Sequence, residues 1–418
     1  MDTFNERIIG YDSIKQILRL ITDILKRTND YRSQGAGLPH GLLLVGKPGT
    51  GKSTMANALM QASGRTALTF RMDAEQNEFL DALKAAFENA VKHAPSVITL
   101  EDIHLYGQNP LAPEWPCLQA CIDDCKEKDV FIIATANTTS RIPDSLLRPG
   151  RFDYVVNVDV PQGQTAMEII RYYLRETDLA EDVNIEDVAK MLGGNSCAAL
   201  ESALSIAKIN AIYDGEKQIH RKHLVTALMQ VIHQMKKADK DYTTAEWRGI
   251  AIHEASHAVV CELLRPGHTA AVSILSSDEF IGGCTDIYEQ GYSSEAGMLE
   301  LATIFLAGKA GTEVLLGSFD IGAADDIQCA HNIVYTWVTK LAGNGFSYVE
   351  SQRAGISEAG KREYELLIAA KMDECYNRAK QIIFDNRTFV ERICDALLKE
   401  ETLTLLSSDI QKIRQTCQ

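Results

Sequence analysis

Residues 252–258 read IHEASHA, and the two histidines in that stretch, His253 and His257, stand four positions apart. On a helix this spacing puts both imidazoles on one face, at a separation that a single metal ion can bridge. Glu254 lies beside them, where a carboxylate serves as general base toward a zinc-bound water. A catalytic zinc takes three protein ligands and keeps its fourth position open, so a third donor has to come from elsewhere in the chain. His268, Asp325, Asp326 and His331 are the candidates, and spacing alone does not choose among them.

A second set of residues points to phosphate chemistry. Gly46, Lys47, Pro48, Gly49, Thr50, Gly51, Lys52, Ser53 and Thr54 match the pattern G-x-x-x-x-G-K-[ST] between an apolar run and a helical one. Glycines at these positions let backbone N–H groups close around phosphate oxygens at a helix N-terminus. Lys52 is placed to reach the β- and γ-phosphates of ATP, and the Ser53 hydroxyl to ligate Mg2+. Further on, the run VITL ends in Glu101 and Asp102, where an acid would face that magnesium. The run VFIIATAN ends in Asn137, an amide suited to orienting a water or touching the γ-phosphate. In LLRPGRFD, Arg148 and Arg151 flank a Pro-Gly turn. Arginine supplied by a neighbouring subunit stabilises the charge that develops in phosphoryl transfer.

Elements able to carry these residues are visible as apolar runs. Gly41–Val45, Thr66–Arg71, Val97–Leu100, Val130–Thr135 and Tyr154–Asp159 read as strands, with helical patterns such as Glu78–His93 between them. That alternation predicts a mostly parallel sheet covered by helices on both faces. Thr165 to about Lys237 reads as all helical, with turns near Leu179–Val183 and Gly193–Asn195, and Met235–Tyr242 as a charged linker. Thr243-x-x-Glu246 is a capping box that opens a helix to about Leu264, stopped by Pro266-Gly267. The remainder is mainly helical, with one strand expected at Ala271–Leu275.

Composition narrows the classes. The 418 residues carry a net charge of −15, against the basic stripe that a nucleic-acid surface needs. No run approaches the ~20 apolar residues of a membrane span. With no secretory leader in MDTFNERIIG, a cytoplasmic location is expected. The ten cysteines lack a C-x-x-C pair, and Cys117, Cys121 and Cys125 are expected to pack into a core.

LLRPGRFD with the phosphate loop resembles the AAA+ ATPases, and that module followed by HEASH resembles the FtsH family of ATP-dependent zinc metalloproteases. GCTD, LAGKAGTEVLLG (Leu306–Gly317), GAADDI (Gly322–Ile327) and CYNRAKQII (Cys375–Ile383) extend the resemblance over nearly the whole chain. It implies an α/β AAA+ P-loop domain with a parallel sheet at 1–160, an all-α lid domain at 161–240 and a mainly α-helical zinc metallopeptidase domain at 241–418. It gives Asn137 the sensor role, Arg148 and Arg151 the finger role, Asp326 the third zinc position, and Glu313 a place behind the ligands. It makes Ala271–Leu275 an edge to which an extended substrate adds. Protein or peptide substrates and a homo-hexamer follow from the same resemblance.

Four departures qualify it. The family's N-terminal membrane spans have no counterpart here. The magnesium-site acids, Asp-Glu in the family, are Glu101-Asp102, which changes the reach of each by one methylene and predicts ATP binding with slow hydrolysis. The substrate-gripping pore loop would fall in Met72–Phe79, which has no glycine and one aromatic, Phe79. The inter-subunit Asp-Gly-Phe segment before Asn137 is missing. At the zinc site only Ser256 departs, being usually Gly. The leading expectation is an ATP-dependent zinc endopeptidase acting within a ring. The alternatives are a peptidase whose ring binds ATP mainly for assembly, and a non-proteolytic remodelling or regulatory subunit.

Overall fold

The computed structural model describes residues 3–72, 79–175, 177–232, 234, 243–275, 283–287, 292, 294–318, 321–341, 343 and 358–417. The chain forms two compact units, one of residues 1–176 with 194–202, the other of residues 177–193 with 203–418.

The first unit is built on five parallel strands: β1 (Gly41–Val45), β2 (Thr66–Phe70), β3 (Ser96–Leu100), β4 (Val130–Ala136) and β5 (Tyr154–Asn157), in the order β2-β3-β4-β1-β5. Successive side chains of a strand point to opposite faces. Leu42 and Leu44 pack with Leu18, Ile21 and Leu59 on one side, while Leu43 and Val45 pack with Leu83 and Trp115 on the other. Burial on both faces is why β1, β3 and β4 read as nearly unbroken apolar runs, while the edge strands β2 and β5 are more exposed. The order places the carboxyl ends of β3, β4 and β1 side by side, which is where open α/β sheets bind ligands.

Cys121 and Cys125 are buried and Cys117 half-buried on the Glu114–Cys125 helix, packed against this core. Burial pushes the Cys121 thiol up to about 12 and the Cys125 thiol up to about 11, as expected of inert core thiols. Phe79 does not face a pore. It opens the Phe79–Lys92 helix, is fully buried, and stacks edge-on to Tyr106 at 4.9 Å between ring centroids, with Phe70 at 5.8 Å. The expected pore loop's residues 73–78 lie outside the described residues, as does the whole linker, residues 235–242.

In the second unit the Thr244–Leu264 helix begins as its capping box predicts, with Glu246 N–H donating to Thr243 Oγ1 and Thr243 N–H to the Glu246 carboxylate. It packs in a core with the Ala307–Leu316 and Arg387–Leu397 helices. A three-stranded antiparallel sheet, β6 (Thr269–Ser273), β7 (Cys284–Ile287) and β8 (Thr404–Leu406), runs in the order β7-β6-β8. The strand expected as an edge is therefore central. Its two neighbours are too short, at four and three residues, to show a period-two pattern. Among the described residues no helix is long and apolar enough to cross a membrane.

Removing the Phe79 side chain empties a fully packed aromatic site, so Phe79→Ala is expected to cost about 3–5 kcal/mol in denaturant-unfolding experiments. A change near the ~0.5 kcal/mol typical of surface positions would contradict its placement in the core.

Candidate functional site

The Thr244–Leu264 helix carries His253, Glu254 and His257 on its buried stretch. His253 Nε2 and His257 Nε2 are 3.1 Å apart, and Asp326 Oδ2 lies 3.1 Å from the first and 3.2 Å from the second. Neighbouring donors that each sit ~2.0–2.1 Å from a tetrahedral zinc ion are separated by roughly 3.3 Å, so the triangle has the size the ion requires. Asp326 comes from the first turn of the Ala324–Thr339 helix. Of the four candidates for third ligand, only Asp326 joins the imidazoles among the described residues. His268 lies beside the Pro266 carbonyl, Asp325 is exposed, and His331 stacks on Tyr335.

The surroundings suit metal binding. His257 Nδ1–H donates to the Ile304 carbonyl at 2.7 Å, which leaves the Nε2 lone pair for a metal. Burial disfavours the His257 cation, but the Asp326 carboxylate outweighs it and moves the pKa up to about 9, a proton that zinc would displace. Glu254 is buried, which pushes its carboxyl up, and its Oε2 accepts from Thr285 Oγ1 at 2.8 Å. Thr285 stands on β7, so the GCTD segment holds the Glu254 carboxylate in place.

Gly308 and Gly311, on the Ala307–Leu316 helix, were not singled out by sequence reasoning, yet they decide how close that helix comes. A Cβ at Gly308 would stand 2.3 Å from His253 Nε2 and 2.4 Å from His257 Nε2, and one at Gly311 would stand 1.8 Å from Ser256 Oγ. The departure at Ser256 is thus accommodated by a glycine across the helix pair. Glu313 does not reach the donors. Its carboxylate accepts from Tyr376 and, at 2.6 Å, from Lys380, which ties its helix to the Glu358–Asp385 helix.

At the sheet, the loop Gly46–Thr54 leaves β1 and enters the Lys52–Ser63 helix, with Gly49 and Gly51 at positive φ. Lys52 Nζ donates to the carbonyls of Gly46 (2.7 Å) and Lys47 (2.9 Å) and to Asn137 Oδ1 (3.0 Å). Thr50 Oγ1 donates to the Lys47 carbonyl, while Ser53 and Thr54 are exposed on the first helical turn. Asn137 at the end of β4 is therefore in contact with the phosphate-loop lysine. Glu101 forms a two-pronged ion pair with Arg71, at 2.6 and 3.2 Å. Asp102 is at φ 50°, half-exposed, and is the acid whose charge acts on Lys52. His104, which the sequence reading passed over, is buried with both ring nitrogens against Asn137.

Two family models match the chain: the ATPase family associated with various cellular activities (AAA) over residues 42–160, and peptidase family M41 over residues 241–413. Together they cover well over half of it. The chain belongs to the FtsH family of ATP-dependent zinc metalloproteases. FtsH 2 of Thermoanaerobacter sp. (strain X514) is 27% identical over 96% of this chain and 81% of its own length. FtsH of Caldicellulosiruptor bescii is 29% identical over 95% of this chain and 70% of its own. FtsH of Thermotoga maritima is 29% identical over 97% of this chain and 73% of its own. The cofactors of this FtsH-family chain are zinc and magnesium–ATP, and the donor triangle and phosphate loop fit them.

The two finger candidates differ in this FtsH-family chain. Arg148 is exposed, whereas Arg151 donates to Asp123 at 2.8 Å and to the Ser145 carbonyl at 2.7 Å. The Arg151 hydrogen bond, with help from Lys126 and against partial burial, lowers Asp123 from 3.8 to about 2. A depressed carboxylate pKa stabilises the fold above the unfolded value and loses that stabilisation as pH falls through the folded one. The thermal midpoint of Asp123→Asn should therefore lie below wild type at pH 6 and converge with it between pH ~4 and ~2; a gap unchanged at pH 2 would exclude the ion pair as its source.

Gly308→Ala forces the helix pair apart at the histidines. It is expected to weaken zinc binding by about 10–100-fold in chelator competition while leaving ATP affinity unchanged. Wild-type zinc affinity in that variant would show that the close approach is not needed.

Proposed function

We propose that Glu254 is the general base of peptide hydrolysis and that His253, His257 and Asp326 hold the zinc. The observation that carries this is the donor triangle of 3.1–3.2 Å edges, with a buried carboxylate on the next residue of the same helix. Zinc, when bound, supplies a Lewis acid and lowers the pKa of the water it holds. Glu254 would take a proton from the attacking water at its carboxylate and return it to the leaving amine. Thr285, by hydrogen bonding to Oε2, keeps the carboxylate turned toward the reacting water. An extended polypeptide adds as a strand at β7, which pairs only with β6 among the described strands and carries Thr285 beside the base.

The same reading assigns the Gly46–Thr54 loop to ATP, Asn137 to the sensor role, Asp102 and Glu101 to the magnesium side, and Arg148 and Arg151 to the fingers of a homo-hexamer. Its domains are residues 1–160, 161–240 and 241–418, consistent with family matches at 42–160 and 241–413. A cytoplasmic setting agrees with ten cysteines of which none forms a disulfide. The acidic balance of −15 disfavours nucleic acid as a partner. Glu101, paired with Arg71, and Phe79, buried away from any pore, support a second reading in which nucleotide serves assembly more than pulling.

Glu254→Gln is expected to lower hydrolysis of unfolded casein by at least ~10²-fold with bound zinc unchanged. Equal rates in the two proteins would remove Glu254 from the mechanism. Wild-type cleavage that runs at one rate with and without ATP would exclude the coupled motor and leave the assembly reading.

A further inference from the structure

The buried His104 offers both faces of its ring to one residue. Asn137 N–H donates to Nδ1 at 3.2 Å, and the Asn137 side-chain nitrogen lies 3.2 Å from Nε2. The other polar atom of that side chain, Oδ1, accepts from Lys52 at 3.0 Å. This last contact fixes the amide's orientation, because an ammonium can only donate and must face oxygen.

A conflict follows from these three contacts. With Nδ1 accepting, the proton of the neutral ring sits on Nε2. Nε2–H and the Asn137 NH2 group then confront each other as two donors. Only the hold of Lys52 on Oδ1 keeps them so. Lys52 is also the group that moves to the β- and γ-phosphates when a nucleotide binds. Once it leaves, a half-turn of the Asn137 amide satisfies every group. Oδ1 accepts from His104 Nε2–H, and NH2 takes the side facing the phosphate loop.

We propose that His104 is a positioning residue of the ATPase site, which turns the Asn137 amide so that its NH2 donates toward the terminal phosphate after Lys52 has moved to the nucleotide. The proposal rests on the sensor reading of Asn137, and it explains why a buried histidine stands two residues after the magnesium acids. A preference for ATP over ADP is its direct consequence, since only ATP presents the group to which the turned amide donates.

Calorimetric titration of the full chain with ADP and with a non-hydrolysable imido analogue of ATP tests this without requiring turnover. Asn137→Ala should reduce the preference for the analogue by about tenfold, the worth of one hydrogen bond to a charged group. His104→Asn keeps an acceptor for the Asn137 N–H but has no donor at the Nε2 position, and should lose the preference to a similar extent. His104→Gln, whose longer amide carries N–H to that position, should keep it within about twofold. If His104→Asn weakens both nucleotides equally, the residue is merely structural and the proposal fails. It fails equally if Asn and Gln behave alike, or if Asn137→Ala shifts the preference and His104→Asn does not. Should Asn137→Ala leave the preference unchanged, the sensor reading itself is wrong and the proposal falls with it.

Discussion

The peptidase half depends on two helices that approach until no side chain fits between them. At Gly308 and Gly311 the Ala307–Leu316 helix presents bare backbone to His253, His257 and Ser256. That contact leaves no room for a further carbon beside the two Nε2 atoms. The Ile304 carbonyl, shortly before this helix, orients His257 through Nδ1. Glu313, fastened to Tyr376 and Lys380, holds the helix from behind. Metal ligands are only as well placed as the shell that packs them, and here the shell is mostly backbone.

The ATPase half solves its positioning problem by strand order. Because β4 lies between β3 and β1, Asn137 follows the strand that separates the acids from the phosphate loop, and it touches the loop through Lys52. Arg71 occupies both oxygens of Glu101, so the shorter Asp102 is the acid left to act on Lys52. Arg151 is likewise engaged within its own chain by Asp123.

Much of this was legible beforehand, and for physical reasons. Strands buried on both faces must be largely apolar, so β1, β3 and β4 were visible as runs, and the more exposed β2 and β5 still carried enough apolar residues to be read as strands. The capping box announced the start of the zinc helix, and His253, Glu254 and His257 followed from helical periodicity alone. Asp326 did not, because a ligand some 70 residues away is brought in by tertiary packing, and only the family resemblance selected it. β7 and β8 escaped notice as three- and four-residue strands, which reversed the expected place of β6 from edge to centre. The segment Met72–Phe79 already departed from the pore-loop pattern in its sequence, and its one aromatic, Phe79, packs against Phe70 and Tyr106. Gly308 and His104 carry no pattern of their own; their meaning lies in what stands opposite them.

The cap at Thr243 has a consequence for the metal centre ten residues downstream. By pinning the first turn with two reciprocal hydrogen bonds, Thr243 and Glu246 keep that end of the helix from fraying. About two and a half turns separate the cap from His253, and they are thus fastened at their open end.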